Sequence, residues 1–258
     1  MLLFFKPKKI VIDFFTPIHT VHEFFSIKPA IKCTPEWWKK LPKTLTTDEK
    51  HITSTVKLCP GFTDLYKQGF ILPAWSDIAI QVIKEPKYKG EGNFLAKSSS
   101  RQVEALFNGN STSTHAPYQW GNNFPEFTHI KFLTPWAMKQ KSDVPWLWIE
   151  PTWDSIEFNS ELRILPGVVQ PQITSNINIQ CFIKKSDNLI EIDAGQPMLH
   201  MIPITEQEVV VNNHLIDLQE WNKIRAQYAP IFKFTGGHNW IKKFKKQQEE
   251  EKNKCPFH

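Results

Sequence analysis

Apolar and polar positions alternate most cleanly along residues 173–183. Ile173, Ile177, Ile179 and Cys181 fall to one side, while Thr174, Asn176, Asn178 and Gln180 fall largely to the other, with Ser175 out of phase. Successive side chains of a strand leave opposite faces, so this period predicts a strand with one buried face. Ser186-Asp187-Asn188 is a turn cluster whose side chains bond their own backbone. Leu189 to Ile192 then starts the return strand. Ala194-Gly195-Gln196-Pro197 breaks it, because Gly accepts positive φ and Pro has no donor for a ladder. Met198 to Ile204 reads as a final strand.

Earlier segments repeat the theme. Lys9 to Phe15 is nearly continuously apolar, as a buried strand is. Phe70 to Pro73 and Asp77 to Ile83 are strands, with Ile78, Ile80 and Val82 alternating inward. Phe127 to Leu133 is another, and Pro135-Trp136 ends it. Prolines 145 and 151 bound a strand in which Trp146 and Trp148 share one face. Thr53 to Lys57 is a short strand after the polar loop 44–51. Residues 86–119 read mostly as turn and loop.

Helical signals are brief. Thr34 to Pro42 is a single turn with Pro35 at its first position, so Trp37 and Trp38 lie on different faces. Phe62 to Gln68 is a short helix closed by Gly69. Thr205-Glu206-Gln207-Glu208 has the capping-box spacing. Leu215, Leu218, Trp221, Ile224 and Tyr228 form a helical stripe, and Pro230 ends it. His238 to Lys254 is a second helical segment that frays into a charged tail. The domains expected are a β-rich unit over 1–204, clearest over 127–204, and a helical extension with charged tail over 205–258.

Composition supports a β-rich body. The 258 residues are 41% apolar, with 19 Pro against 10 Gly, so short extended segments meet at stiff corners. The net charge of +5 is mild for this size and concentrated at the ends, which makes nucleic acid an unlikely partner in this reading. No apolar run approaches the roughly 18 residues of a membrane span. The four cysteines are widely spaced and form no CxxC pair, so thiols in a reducing cytoplasm are expected and no metal or cofactor is.

Two resemblances add to this. Gly167 to Asn176, followed by Gly195-Gln196-Pro197-Met198-Leu199-His200, resembles the C-terminal half of the trimeric dUTPase and dCTP-deaminase β-clip barrel. That likeness covers about forty residues and implies a β-clip, distorted barrel or sandwich core. The family's catalytic Asp falls on Gln170, its sugar-stacking Tyr on Ile173, and its Gly-Glu pair on Ser175 and Asn176. The likeness thus implies the shell without the hydrolase. More broadly, Pro35 to Pro42, Cys59 to Asp64, Ile71 to Asp77, Thr134-Pro135-Trp136, Leu165-Pro166-Gly167 and Gly195-Gln196-Pro197 resemble, in that order, uncharacterised proteins of tailed phages, especially marine cyanophage-type myoviruses, and of some bacteria. This implies a place in the host-cell cytoplasm or a virion.

The expected function is therefore non-enzymatic binding or assembly, with self-association, a trimer included, or contact with other virion or host proteins. The candidate binding residues are Trp37, Trp38, Trp75, Asp77, Trp136, Trp146, Trp148 and Trp153, since clustered Trp serve as stacking platforms or interface anchors. No residue is assigned to catalysis. One alternative is a metal-dependent enzyme drawing on His19, His22, Asp77, His129, Asp154 and His200. Another is a nucleotide binder that has lost hydrolysis.

Overall fold

The computed structural model describes residues 9–46, 51–82, 94–115, 120, 123–151, 161–186 and 188–226. These residues form a mainly β, β-rich α+β fold with several sheets. The largest sheet runs β11 (Leu162–Ile164), β13 (Asn176–Lys184), β9 (Phe127–Gln140), β1 (Ile10–Thr16), β16 (Val209–Leu215), and β8 (Thr112–Ser113) also pairs with β9. A second sheet runs β12 (Gly167–Val169), β10 (Trp146–Ile149), β15 (Pro197–Pro203), β5 (Phe70–Pro73), β2 (Lys28–Pro29). A third joins β14 (Leu189–Ile192), β6 (Ile78–Val82) and β7 (Phe94–Ser98), and β3 (Thr44–Thr46) pairs with β4 (Ile52–Ser54). Short helices intervene: α1 (His19–Phe24), α2 (Glu36–Lys40), α3 (Pro60–Lys67), α4 (Arg101–Leu106) and α5 (Leu218–Ala226). Among the described residues no sheet closes on itself, so the barrel form of the expectation is not what these strands build.

One apolar core joins the three larger sheets and α5. It contains Ile12 and Phe14 of β1, Ile130 and Phe132 of β9, Ile177 to Ile183 at alternate positions of β13, Trp146 of β10, Leu72 of β5, Ile80 of β6 and Trp221 of α5. The period-two reading of β13 holds residue by residue: Ile177, Ile179, Cys181 and Ile183 are buried, and Asn178, Gln180 and Phe182 are half-buried on the other face.

Several expectations are corrected. β9 does not stop at Pro135. Phe127 to Leu133 pair with β13. The ladder to β13 is interrupted by a register shift between Asn176 and Asn178 and resumes at Ala137, and Ala137 to Gln140 also pair with β1 on the other edge. Thr134 Oγ1 donates to the Ile177 carbonyl across this bulge at 2.9 Å. A proline is tolerated at such an irregularity because no ladder donor is needed from it. β14 is not the return strand of β13, whose two edges are already taken by β9 and β11; it pairs with β6 instead.

The helical reading of 205–215 also fails. Thr205 Oγ1 accepts from the Gln207 N–H in a local turn, and Val209-Val210-Val211 enters β16, as β-branched runs do. β16 pairs in parallel with β1 from Ile10–Val209 to Thr16–Leu215. With Trp221 fully buried, the sheet and core both continue past the expected boundary at residue 204. Leu215 and Leu218, placed in the apolar stripe, are exposed. Thr44 to Thr46 is a strand rather than loop, and Pro35 is the N-cap of α2 rather than its first residue. The segment 238–254 lies outside the described residues.

Candidate functional site

A cleft of about 550 Å³ opens where the chain crosses from the large sheet to the second one. The crossing is Leu165-Pro166, between β11 and β12, and the Leu165 N–H is anchored to the Gln180 carbonyl at 2.8 Å. One wall is the polar face of β13, with Asn176, Asn178 and Gln180. Trp148, Gly167, Val169 and Leu199 of the second sheet line the other side, and His115 and Trp120 lie at one end. Among the described lining residues none is Lys, Arg, Asp or Glu, and His115 is the one titratable side chain.

Hydrogen bonds behind the wall fix which way the amides point. The His115 backbone N–H donates to Nδ1 of His129 at 3.1 Å. Nδ1 therefore carries no proton, and Nε2–H must donate to Oε1 of Gln180 at 2.8 Å. Gln180 is left with its NH₂ as the free end. The same holds for Asn176, because Arg225 Nε–H, a pure donor, is bonded to Oδ1 at 2.6 Å. Burial and the neighbouring His115 hold the His129 imidazole down to about pKa 4, against the opposing pull of the Gln180 bond. The ring is thus neutral across the physiological range.

Arg225 is itself unusual. Its guanidinium lies 4.5 Å from the Trp221 ring centre and 5.3 Å from that of Phe107. Among the described residues no carboxylate forms an ion pair with it. Burial holds its pKa below the usual arginine range. Aromatic faces accept a cation in place of a carboxylate, and the Asn176 amide relays the polarisation toward the cleft.

The predicted Trp residues disperse. Trp148 lines the cleft. Trp146 is in the core, its indole N–H donating to Gln140 Oε1 at 2.7 Å. Trp75 and Trp136 are buried. Trp38 is buried beside Tyr66, 5.8 Å between ring centres, whereas Trp37 is 43% exposed. Asp77 is a local clamp: Oδ1 accepts the Ala194 N–H at 2.8 Å, and its carbonyl accepts that of Ser99. Trp153 and Asp154 lie outside the described residues.

The titratable candidates do not converge either. His19 faces Glu23 on α1, His22 Nε2 contacts the Asn213 carbonyl, and buried His200 donates to the Gln68 carbonyl at 2.8 Å. Among the described residues no three His, Cys, Asp or Glu side chains come together in a metal-binding group.

Apart from Trp148, sequence reasoning passed over the cleft's own residues. Asn176, Asn178 and Gln180 stand out in the sequence as the polar half of an alternation, and three amides in a row on one face were the available signal. Trp120 sits in a stretch with no periodicity. Its ring meets Phe182 at 5.0 Å and His129 at 5.3 Å. A second depression of about 870 Å³ lies by Gly69, Leu147 and Glu208. Two of its charged side chains are paired elsewhere, Lys67 with Asp64 and Glu208 with Lys9.

Comparison with protein-family models finds none that matches this chain, and no curated protein matches it. Among the described residues no helix is long and apolar enough to cross a membrane.

Proposed function

We propose that this is a binding protein rather than a catalyst, and that the cleft between β13 and the second sheet is where its ligand sits. The observation that carries this is the lining: amide donors and apolar side chains, with His115 as the one titratable group among the described residues. General acid–base chemistry needs paired titratable groups within reach of a substrate, whereas concave, largely apolar walls with a few fixed polar groups are what small-molecule sites offer. Gly167 provides the test. A Cβ built there meets open space, so Gly167→Trp fills the cleft without a backbone clash. A thermal-shift screen is expected to find stabilising compounds for the native chain whose effect disappears in Gly167→Trp. Equal shifts in both proteins place the ligand elsewhere and end the proposal.

The second half of the proposal is self-association, as a trimer or another closed assembly. A specific observation favours it. Trp37, Leu45, Ile52, Val56 and Leu58 are all exposed, Ile52 by 77%, on the module formed by α2, β3 and β4 and the turn that follows. Lys57 binds this module together by donating to the carbonyls of Lys39 and Leu41. Exposed apolar side chains gathered on one small module are what interfaces cover. A role in a phage-infected cell or a virion rests on the resemblance to phage proteins, and a retained nucleotide site on the β-clip likeness. The absence of Lys and Arg among the described lining residues gives phosphates no partner there.

A further inference from the structure

We propose that the cleft selects an uncharged oligosaccharide of two or three units; this rests on the reading of the cleft as the binding site. The argument is one of hydrogen-bond polarity. Asn176 and Gln180 each have the oxygen consumed from behind, by Arg225 and by His129. What they present forward is N–H. The two residues are four apart on an extended strand, roughly 13 Å, with Asn178 between them on the same face. Trp120, at one end of the cleft, keeps a buried indole N–H with no hydrogen-bond partner among the described residues. The wall is therefore a row of donors. It needs a ligand that offers acceptor oxygens at intervals over a length greater than one ring.

Other ligand classes fit less well. A nucleotide brings phosphates to a lining with no cation among its described residues. An apolar compound leaves every amide donor unmatched. An extended peptide carries as many N–H donors as carbonyls, and against them the wall's β13 side chains offer only the Asn178 amide oxygen. Sugar hydroxyls rotate to accept wherever a donor is fixed. Their apolar C–H faces suit the Trp148 and Leu199 side of the cleft, as a ring face suits an aromatic wall.

The test uses the full chain and titration calorimetry with a panel of neutral di- and trisaccharides, a nucleoside, and an uncharged extended tetrapeptide. At least one saccharide is expected to bind. Gln180→Glu turns a fixed donor into an acceptor and is expected to weaken that binding by roughly tenfold or more. Asn178→Ala, which breaks no side-chain hydrogen bond among the described residues, is the companion variant should Gln180→Glu unfold, and is expected to weaken it several-fold. Saccharide binding indifferent to both variants overturns the proposal. Binding of the nucleoside or the peptide with no saccharide response overturns the ligand class and leaves the cleft as the site. No binding by any of the three overturns both.

Discussion

His129 and Gln180 face each other across neighbouring strands, with Nε2–H on Oε1 at 2.8 Å. On the far side of the ring, the bond from the His115 N–H to Nδ1 exists only while that nitrogen carries no proton. A folded pKa of about 4, set mainly by burial, lies below the ordinary histidine value. Between about pH 6.5 and pH 4 the unfolded chain binds the proton and the folded chain does not. Stability is therefore full above about pH 6.5, declines as pH falls through that window, and levels off below it. His200, also lowered by burial, acts in the same direction. Urea unfolding at pH 7.5 and pH 4.5 is expected to differ by about 2 kcal/mol. His129→Phe should flatten most of the difference while lowering stability at pH 7.5.

Arg225→Lys tests the aromatic seat. Lysine keeps the charge but loses the Nε–H bond to Asn176 and the planar stacking over Trp221. The variant is expected to be less stable by about 1–3 kcal/mol in chemical denaturation. A cleft ligand should also bind it more weakly, since Asn176 is then free to flip.

Two glycines make a matched pair. Gly69 has φ +74°, and a Cβ there collides with the Met201 carbonyl oxygen. Gly69→Ala should cost more than about 3 kcal/mol, combining αL strain with a backbone clash. Gly61, on exposed α3, has nothing within reach of a Cβ. Gly61→Ala should stabilise by about 0.5–1 kcal/mol. Melting temperatures of the two variants read both at once.

Thr134→Val removes the hydroxyl that bridges the bulge to Ile177. Both ends of that bond are buried, so the loss should be about 1–3 kcal/mol despite the near-identical shape. Hydrogen exchange is expected to rise at the residue 176–178 end of β13 before it rises at the 181–184 end.

Trp37→Ser with Ile52→Ser should shift the assembly toward monomer in light scattering at micromolar concentration, with little change in melting temperature. A native chain that is monomeric at that concentration removes the self-association proposal.

Alternation was legible wherever one face of a strand is buried and the other is not. Ile177 to Ile183, Trp146 and Trp148, and Ile78 to Ile80 were all read in their correct phase. Pairing was not legible, because period says nothing of neighbours: β14 and β16 were misjudged on partner or type, not on hydrophobicity. The cleft, Trp148 aside, was missed for a related reason. Its donors come from adjacent positions of one strand, but what orients them, Arg225 and His129, lies about fifty residues away in either direction. Trp residues drew attention by rarity, yet large aromatic side chains fill cores first, and Trp136 and Trp146 do so here.

The parallel pairing of Ile10 with Val209 has a consequence for synthesis. As the chain leaves a ribosome from its amino end, β1 emerges early and its outer edge must wait for nearly two hundred further residues before β16 arrives. Throughout that interval it is an open template for any other extended chain. A nascent chain halted before Val209 is expected to precipitate or recruit a holdase, whereas one halted after Leu215 is expected to stay in solution.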